Sequence, residues 1–379
     1  MIAQHDRILL LVGGRAHGDW LRYEVDSDLL TPADAWSVTL SMSPEGVIPA
    51  AVRSGEPVEL RLGDDPLMVG RVDTVSLRTR KGEVQLTIDG RDNSGQLLDC
   101  SAQVFTSQNL TLDQVVAKIV RPLGVTKIRV DADNALRREK VSVEPGDTAW
   151  DALAHAAEAN GLWPWFDPDG TLVVGGPDYT AAPVATLVHE LAGAGNNVLS
   201  LDLTDSLSLS HSEVTVLAQT HGGGELRVAR TGVKATYTDP SVRSYRPRIV
   251  VDHESDTPAH ARERARKLTL DSRLARWELR ATVPGHRINA PGQAAHGQPW
   301  RPGQRVAVRS RPYGLEGIYF LMARTFRGGR GQPTVTELTL KEDGVWIVNA
   351  HPHKRRHRRG RNAGPGAVLD ISNQPEAAR

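Results

Sequence analysis

The chain has almost no cysteine, since Cys100 is the only one in 379 residues. A single cysteine excludes an intrachain disulfide framework and is typical of a protein that folds in a reducing cytoplasm. No apolar run approaches the roughly 18 residues of a membrane span, and the N-terminus lacks the pattern of a cleavable signal peptide. The apolar run at 8–12 is short and predicts a buried strand. We therefore expect no stable membrane insertion.

Motifs of the common enzyme classes are also missing. The segment HGGG at 221–224 resembles an esterase oxyanion hole, but the chain has no GxSxG nucleophile elbow. GAGNN at 193–197 lacks the third glycine of a dinucleotide loop, and no phosphate-binding GxxxxGK[ST] occurs. His351 and His353 have no second ligand pair nearby, and Cys100 has no His or Asn placed to activate it. We predict no catalytic, cofactor-binding or metal-binding residues, and a structural protein rather than an enzyme.

The net charge of +1 is unevenly distributed along the chain. Residues 351–361 hold six Lys and Arg without an acid, whereas 362–379 sum to −1, which leaves −4 for the rest of the chain. A block of like charges followed by Gly, Pro and Ala predicts a disordered basic tail over 350–379. The remainder of the chain is not a basic surface for DNA.

Two blocks of the N-terminal hundred residues recur in the second half of the chain. An offset of 176 residues aligns Tyr23, Val25, Asp26 and 38–40 with Leu199, Leu201, Asp202 and 214–216. A second alignment matches 55–62, 70–75 and 84–88 with 303–310, 317–322 and 336–340. At the first of these segments, 55–62, the offset is 248, so the second copy carries 72 extra residues between about 219 and 302. Val58, Leu60 and Leu62 would then match Val306, Val308 and Ser310.

The repeated segments alternate apolar and polar residues, which predicts strands with one buried and one solvated face. Short strands between Gly, Asp and Pro turns are typical of a small barrel or a sandwich. We therefore expect a β-dominated, multidomain α+β protein. Its first barrel occupies 1–98 and its second, split by an insertion, occupies 179–220 and 300–349.

Two segments depart from the strand pattern. Residues 99–178 predict an α/β domain with helices near 111–121 and 148–160; a capping box joins Thr111 and Gln114, and a hairpin turns at Asp169-Gly170. Residues 221–299 predict an inserted lobe with a helix over 257–275, for which Thr257 is the N-cap.

One segment suggests a different function. Residues 143–157, with Gly146-Asp147-Thr148 before a helix, look like the opening of a peptidoglycan-binding LysM module. The same residues also fit a plain turn with an N-cap, and the chain continues with a hairpin instead of a second helix. A peptidoglycan-binding tail-associated module is therefore kept as the alternative function, and a peptidoglycan hydrolase as a weaker one without a visible acid pair.

Three segments carry a resemblance to a known family. GRDNSGQLLDC (90–100), TLDQVVAKIVRPLGV (111–125) and SYRPRIVV (244–251) resemble the baseplate hub proteins of Mu-like contractile phage tails, the gene P product family, in order up to about residue 345. The resemblance does not extend to the basic tail, whose role stays open.

The resemblance implies a homotrimeric ring in the virion baseplate, assembled in the host cytoplasm. Its partners would be the tail tube protein above, the central spike protein below and baseplate wedge proteins at the side. DNA would pass through the ring without sequence-specific binding. Two barrels in each of three chains would supply six similar units, which suits a joint between a six-fold tube and a three-fold spike.

Overall fold

A computed structural model describes residues 6–43, 48–107, 110–131, 141–143, 146–191, 195–218, 233–252, 258–348 and 369–370. The chain is a β-dominated α+β protein, as its alternating strand patterns predict. Several residues discussed above lie outside the described part of the chain: 221–224, Thr257, His351, His353 and 193–194.

The N-terminal part of the chain consists of strands only. They are β1 (Ile8–Val12), β2 (Arg15–His17), β3 (Arg22–Asp28), β4 (Ala35–Met42), β5 (Pro57–Leu62), β6 (Asp65–Arg80) and β7 (Glu83–Asp92). The inward-facing side chains of β5, Val58, Leu60 and Leu62, are buried while Glu59 and Arg61 are half-buried, which is the alternation expected of a strand with one core face. We call β1–β7 the first β-module.

An α/β segment follows, with its own core. Its elements are α1 (Ser94–Asp99), β8 (Thr106–Ser107), α2 (Leu112–Val120), β9 (Ile128–Val130), β10 (Val141–Ser142), α3 (Ala149–Glu158), β11 (Trp163–Phe166) and β12 (Leu172–Gly175). The capping box of α2 is present, with the Thr111 N–H donating to Gln114 Oε1 at 3.1 Å. The Thr148 hydroxyl caps α3 by accepting from the Asp151 N–H at 3.1 Å. The predicted hairpin is formed by β11 and β12.

Two short strands lead into an inserted lobe. The strands are β13 (Thr186–His189) and β14 (Ser200–Asp205), and the lobe holds β15 (Glu213–Ala218), β16 (Val233–Thr238), β17 (Pro247–Asp252) and α4 (Pro258–Arg276). The three lobe strands form a separate sheet in the order β16-β15-β17. Helix α4 buries Ala261 and Ala265 against that sheet, and small side chains allow the close approach.

The chain then returns to the large sheet. Its remaining strands there are β18 (Trp277–Pro284), β19 (Arg305–Ser310), β20 (Leu315–Gly329) and β21 (Gln332–Glu342). The thirteen-stranded sheet runs in the order β14-β18-β21-β20-β3-β4-β7-β6-β5-β1-β2, with β19 beside β20 and β13 beside β19. Over the described residues this order does not close on itself. The two expected barrels are therefore parts of one open sheet, because β3 pairs with β20.

The order of strands is repeated in the two halves of this sheet. The first β-module reads β3-β4-β7-β6-β5-β1 and the second, which we call the second β-module, reads β14-β18-β21-β20-β19-β13. A bulge interrupts the β6–β7 ladder between Val72 and Thr74, and another interrupts the β20–β21 ladder between Leu321 and Ala323. The orientation differs at the last strand, since β1 is antiparallel to β5 and β13 is parallel to β19.

The insertion begins earlier than its sequence pattern predicts. Residues 214–216 were expected to match 38–40 in the second barrel, but they belong to β15 in the separate lobe sheet. Strand β18 pairs with β21 in the way that β4 pairs with β7, so β18 is the counterpart of β4. The sequence pattern had predicted this strand inside the inserted lobe. The error has a physical reason: strands of period two look alike in sequence, so alternation alone does not identify their partners. The lobe between the module strands accordingly spans 206–276.

Two residues of the C-terminal tail pair with a strand of the α/β segment. Leu369–Asp370 forms β22, which pairs antiparallel with β9 at the edge of the sheet β11-β12-β9. An open strand edge supplies backbone hydrogen-bond partners for these two residues. The disordered tail expected over 350–379 stays a prediction. The other residues of 349–379 lie outside the described part.

Truncating a core side chain of the α/β segment should destabilise it. Leu153 on α3 is fully buried in a cluster with Leu97 and Ile128. We expect Leu153→Ala to lower the free energy of unfolding by about 2–5 kcal/mol. Urea unfolding followed by circular dichroism measures the loss. The matched change Leu191→Ala, at a side chain 83% exposed, should stay within about 0.5 kcal/mol; equal losses in both variants would contradict the assigned core.

Candidate assembly interface

The two β-modules are joined through main-chain hydrogen bonds between β3 and β20. The antiparallel register runs from Ala323 opposite Asp28 to Gly328 opposite Tyr23. We call this contact, between 23–28 and 323–328, the intrachain junction. Because a shared ladder couples the twist of both halves, the junction sets how one module is placed against the other.

The junction is apolar at its centre. Phe326 lies opposite Val25, and both side chains are fully buried. The His286 ring, from the loop after β18, stacks on the Phe326 ring at 4.4 Å between centroids and 26° between planes. The central contact therefore joins β3, β20 and the segment after β18, which lie far apart in the sequence.

Hydrogen bonds hold the His286 ring in place. Its Nε2 lies 2.8 Å from the Tyr23 hydroxyl, and its Nδ1 lies 3.0 Å from Thr336 Oγ1. The Thr336 hydroxyl donates its proton to the Gly285 carbonyl at 2.6 Å. Its oxygen must therefore accept the hydrogen bond from the His286 ring, from Nδ1–H. We therefore place the ring proton on Nδ1 and the Tyr23 hydroxyl as the donor to Nε2.

Burial controls the protonation of this network. It lowers the pKa of His286 to about 3, and the nearby Arg324 acts in the same direction. Burial also raises the pKa of Tyr23 to about 12. Both groups are thus neutral at physiological pH, which suits a hydrogen-bonded pair inside a core better than a catalytic acid and base.

A buried arginine lies beside this aromatic centre. Arg324 Nη1 donates to the Val25 carbonyl at 2.8 Å, and the guanidinium stacks on the Phe326 ring at 4.1 Å. Burial lowers its pKa to about 10, while Asp34 and Asp26 oppose the shift. The same burial raises the pKa of Asp34 to about 6. A charge removed from water needs such partners, so Arg324 ties β20 to β3 and to the following turn.

The glycines at the end of β20 allow the close approach of β3. A Cβ on Gly328 would overlap the Tyr23 hydroxyl oxygen. A Cβ on Gly329, whose φ is 149°, would overlap the Leu21 carbonyl oxygen. A larger residue at Gly329 would push the two main chains apart, whereas one at Gly328 would displace the Tyr23 side chain.

The rim of the junction is charged and exposed. Arg327 forms ion pairs with Glu24 at 3.2 Å and with Glu337 at 2.9 Å. Exposed pairs of this kind contribute at most about 1 kcal/mol to stability. We assign them to the choice of register more than to the strength of the contact.

The junction residues carried one overlooked sequence signal. Arg324 and Phe326 alternate along β20 beyond the bulge and are both buried, so Arg324 is a charge on a core face, which is rarely found without a partner. His286 has no comparable signal, because it lies in a loop and its partners are distant. Within the described residues, no group of three His, Cys, Asp or Glu could hold a metal.

The segments that suggested other functions have local structural roles. Thr148 caps α3, and the next element is the β11–β12 hairpin, not a second helix. Asn197, at the end of 193–197, donates to the Thr186 carbonyl and accepts from the Val188 N–H, both at 2.8 Å. No described helix is both long enough and apolar enough to cross a membrane.

Four protein-family models match consecutive parts of the chain. Residues 7–92 match the N-terminal domain of Mu phage GpP-like baseplate assembly proteins, and 94–176 match the second domain of gp44-like baseplate hub proteins. Residues 210–269 match the third domain of NMB1110-like tail proteins, and 271–345 match a tail protein C-terminal domain. The model at 94–176 covers the segment that resembled a glycan-binding module.

Whole proteins are similar over nearly the full length. The baseplate hub protein gp44 of Escherichia phage Mu is 24% identical over 385 residues, which covers 96% of this chain and 95% of that protein. The crystal structure of a tail protein from Neisseria meningitidis MC58 is 36% identical, with a TM-score of 0.78, and covers 91% of this chain and 99% of that one. A 43 kDa tail protein of prophage MuSo2 from Shewanella oneidensis also has a TM-score of 0.78, at 22% identity, over 89% of this chain and 99% of that one.

The buried histidine predicts a specific pH dependence. The pKa of His286 in the folded chain lies at about 3, below the ordinary value of about 6.5 for histidine. The neutral ring therefore makes its full contribution to the free energy of unfolding above pH 6.5. That contribution is lost as the pH falls toward 3, by about 2 kcal/mol at pH 5. A glutamine cannot titrate, so His286→Gln should be less stable at pH 7.5 but lose about 2 kcal/mol less on acidification to pH 5.

Urea unfolding at both pH values measures this difference. The control His155→Gln, at an exposed residue of α3, should keep the pH dependence of the unmodified chain. A slope with pH that is the same for His286→Gln and the unmodified chain would contradict the buried neutral histidine.

Proposed function

Since the chain belongs to the baseplate hub proteins of Mu-like contractile phage tails, we propose that three copies form a ring joining the six-fold tail tube to the three-fold central spike. The coarser role follows from the family: the chain is a structural component of the tail baseplate in the virion. Its relatives are named as tail and baseplate proteins, not as enzymes.

The repeated strand order is the observation that carries this proposal. Each chain contributes two β-modules of the same strand order, and the intrachain junction joins them edge to edge. Such a contact is heterologous, because the two surfaces that meet are different. Heterologous contacts generate closed rings when their rotation closes, and three chains with two modules each supply six similar units for a hexameric tube while keeping three-fold symmetry.

We also propose a division of the chain that follows the sheets. The first β-module, with strands in 8–92, and the second β-module, with strands in 186–205 and 277–342, form the ring. The α/β segment (α1 to β12) and the lobe (β15 to α4) lie outside that sheet and would contact the spike or wedge proteins at the periphery. DNA would cross the central channel without specific binding. The net charge of −4 for the chain without its basic C-terminal tail (351–379) agrees with this.

The oligomeric mass tests this proposal. Light scattering of the purified chain at micromolar concentration should give three times 41.2 kDa, because the ring needs three copies. Negative-stain images should show a ring of six similar units, one for each β-module, around a channel. A monomeric mass across the accessible concentration range would contradict the proposal, and binding to purified peptidoglycan would support the alternative glycan-binding function instead.

A further inference from the structure

Among the strand edges of the large sheet that lack a partner in the described residues, those of β6 and β14 correspond to the two sides of the intrachain junction. Strand β6 pairs with β5 only as far as Arg71, so the outer edge of 73–80 is open while its inner edge pairs with β7. Strand β14 pairs with β18 on one side and ends the sheet on the other. Open edges are normally covered or protected, because they template the pairing of further strands.

The open edge of β6 corresponds to the β20 side of the intrachain junction. Both strands are long, and each pairs first with its own module, through β5 for β6 and through β19 for β20. Both then pass a bulge, at 72–74 in β6 and at 321–323 in β20. Beyond the bulge β20 pairs with β3, whereas β6 has no outer partner among the described residues. Counting from the bulges, Leu77 takes the place of Phe326, and Arg78 that of Arg327.

The open edge of β14 corresponds to β3. Strand β4 of the first module corresponds to β18 of the second. Strand β4 pairs with β7, with Trp36 opposite Gly90, and β18 pairs with β21 in the same register, with Leu279 opposite Leu340. Val25 lies opposite Trp36, and Leu203 lies opposite Leu279. Leu203 therefore takes the place of Val25, and Asp202 that of Glu24.

Resting on the trimer proposed above, we infer that β6 of one chain pairs antiparallel with β14 of a second copy, in the register of the intrachain junction. The pairs across this interchain junction are Val75 with Asp205, Ser76 with Thr204, Leu77 with Leu203, Arg78 with Asp202, and Thr79 with Leu201. The intrachain and interchain junctions then alternate around the ring, and each module meets its neighbours by one kind of contact.

The side chains on the two open edges are complementary. Leu77 and Leu203 are 53% and 37% exposed, whereas their counterparts Phe326 and Val25 are fully buried against each other. Two large apolar side chains left exposed at matching positions indicate a contact that a single chain does not complete.

The charges repeat as well. Arg78 and Asp202 are exposed, and the pair at their counterparts, Arg327 and Glu24, is an ion pair of 3.2 Å. The interchain register would therefore place an arginine opposite an acid at the same rim position. An opposite register would leave both charges without these partners, so the pair favours one alignment.

One difference separates the two junctions. Val75 stands where Arg324 stands in β20, so the interchain junction has no buried charge at this position. The cost of burying an arginine is absent there, and so are its hydrogen bond to the facing strand and its aromatic stacking. This edge can remain open in a free chain and still be covered on assembly.

Cysteine cross-linking tests the register directly. In a Cys100→Ser background, the variant Leu77→Cys/Leu203→Cys should oxidise to a covalent trimer on a non-reducing gel, because directly opposed residues of an antiparallel pair lie within disulfide distance. Each single variant should stay monomeric on that gel, since its one introduced thiol faces an unchanged leucine of the next copy. An equimolar mixture of the two single variants should stop at covalent dimers.

A one-residue shift supplies the matched control. Arg78→Cys/Leu203→Cys places the two thiols on opposite faces of the sheet, so it should not cross-link. Efficient cross-linking of this control, or none of the Leu77 and Leu203 pair, would overturn the inferred register. Light scattering separates the two proposals: a trimeric mass without the expected cross-link overturns only the register, whereas a monomeric mass overturns the trimer too.

A charge exchange gives an independent measurement. Arg78→Glu should weaken trimer formation by about tenfold or more through repulsion from Asp202, and adding Asp202→Arg should restore it. Arg80→Glu makes the same charge change beyond the end of the paired register and should have a smaller effect. Equal weakening by Arg78→Glu and Arg80→Glu, without rescue, would count against the Arg78–Asp202 contact.

Discussion

The pairing of β20 with β3 is the contact on which the arrangement of the whole large sheet depends. It joins the two modules edge to edge, and it places Arg324 inside the protein. A buried guanidinium is tolerated only with partners, and here the Val25 carbonyl, the Phe326 ring and the Asp34 carboxyl supply them. Separating the strands would leave that charge without most of its partners, so the junction favours one placement of the modules.

The bulges in β6 and β20 explain how one strand serves two neighbours. A bulge bends a strand and increases its twist, so the residues before it continue the module while those after it turn toward the next one. In β20 the second part meets β3 of the same chain. In β6 the equivalent part is open among the described residues, and a second copy of the chain completes it in the proposed ring.

Much of the local structure could be predicted from the sequence. The capping box at Thr111, the cap at Thr148 and the β11–β12 hairpin are confirmed, because their determinants lie within a few residues of one another. The placement of the insertion was wrong by one strand, since 214–216 and 281–283 show the same alternation. His286 and its contacts could not be predicted, because the ring meets Tyr23 across 263 positions of chain.

The sequence by itself determined the β-dominated class, the caps and turns, the repetition of strand patterns and the resemblance to the hub family. These properties depend on period, composition and short motifs, which are read along the chain. Only the tertiary structure decided that the two modules share one open sheet, that β18 and not β15 is the second strand of the repeat, and which edges stay open. The physical reason is that a strand of period two accepts many partners, and its choice is made by burial and charge at residues distant in sequence, such as Val25, Phe326 and Arg324.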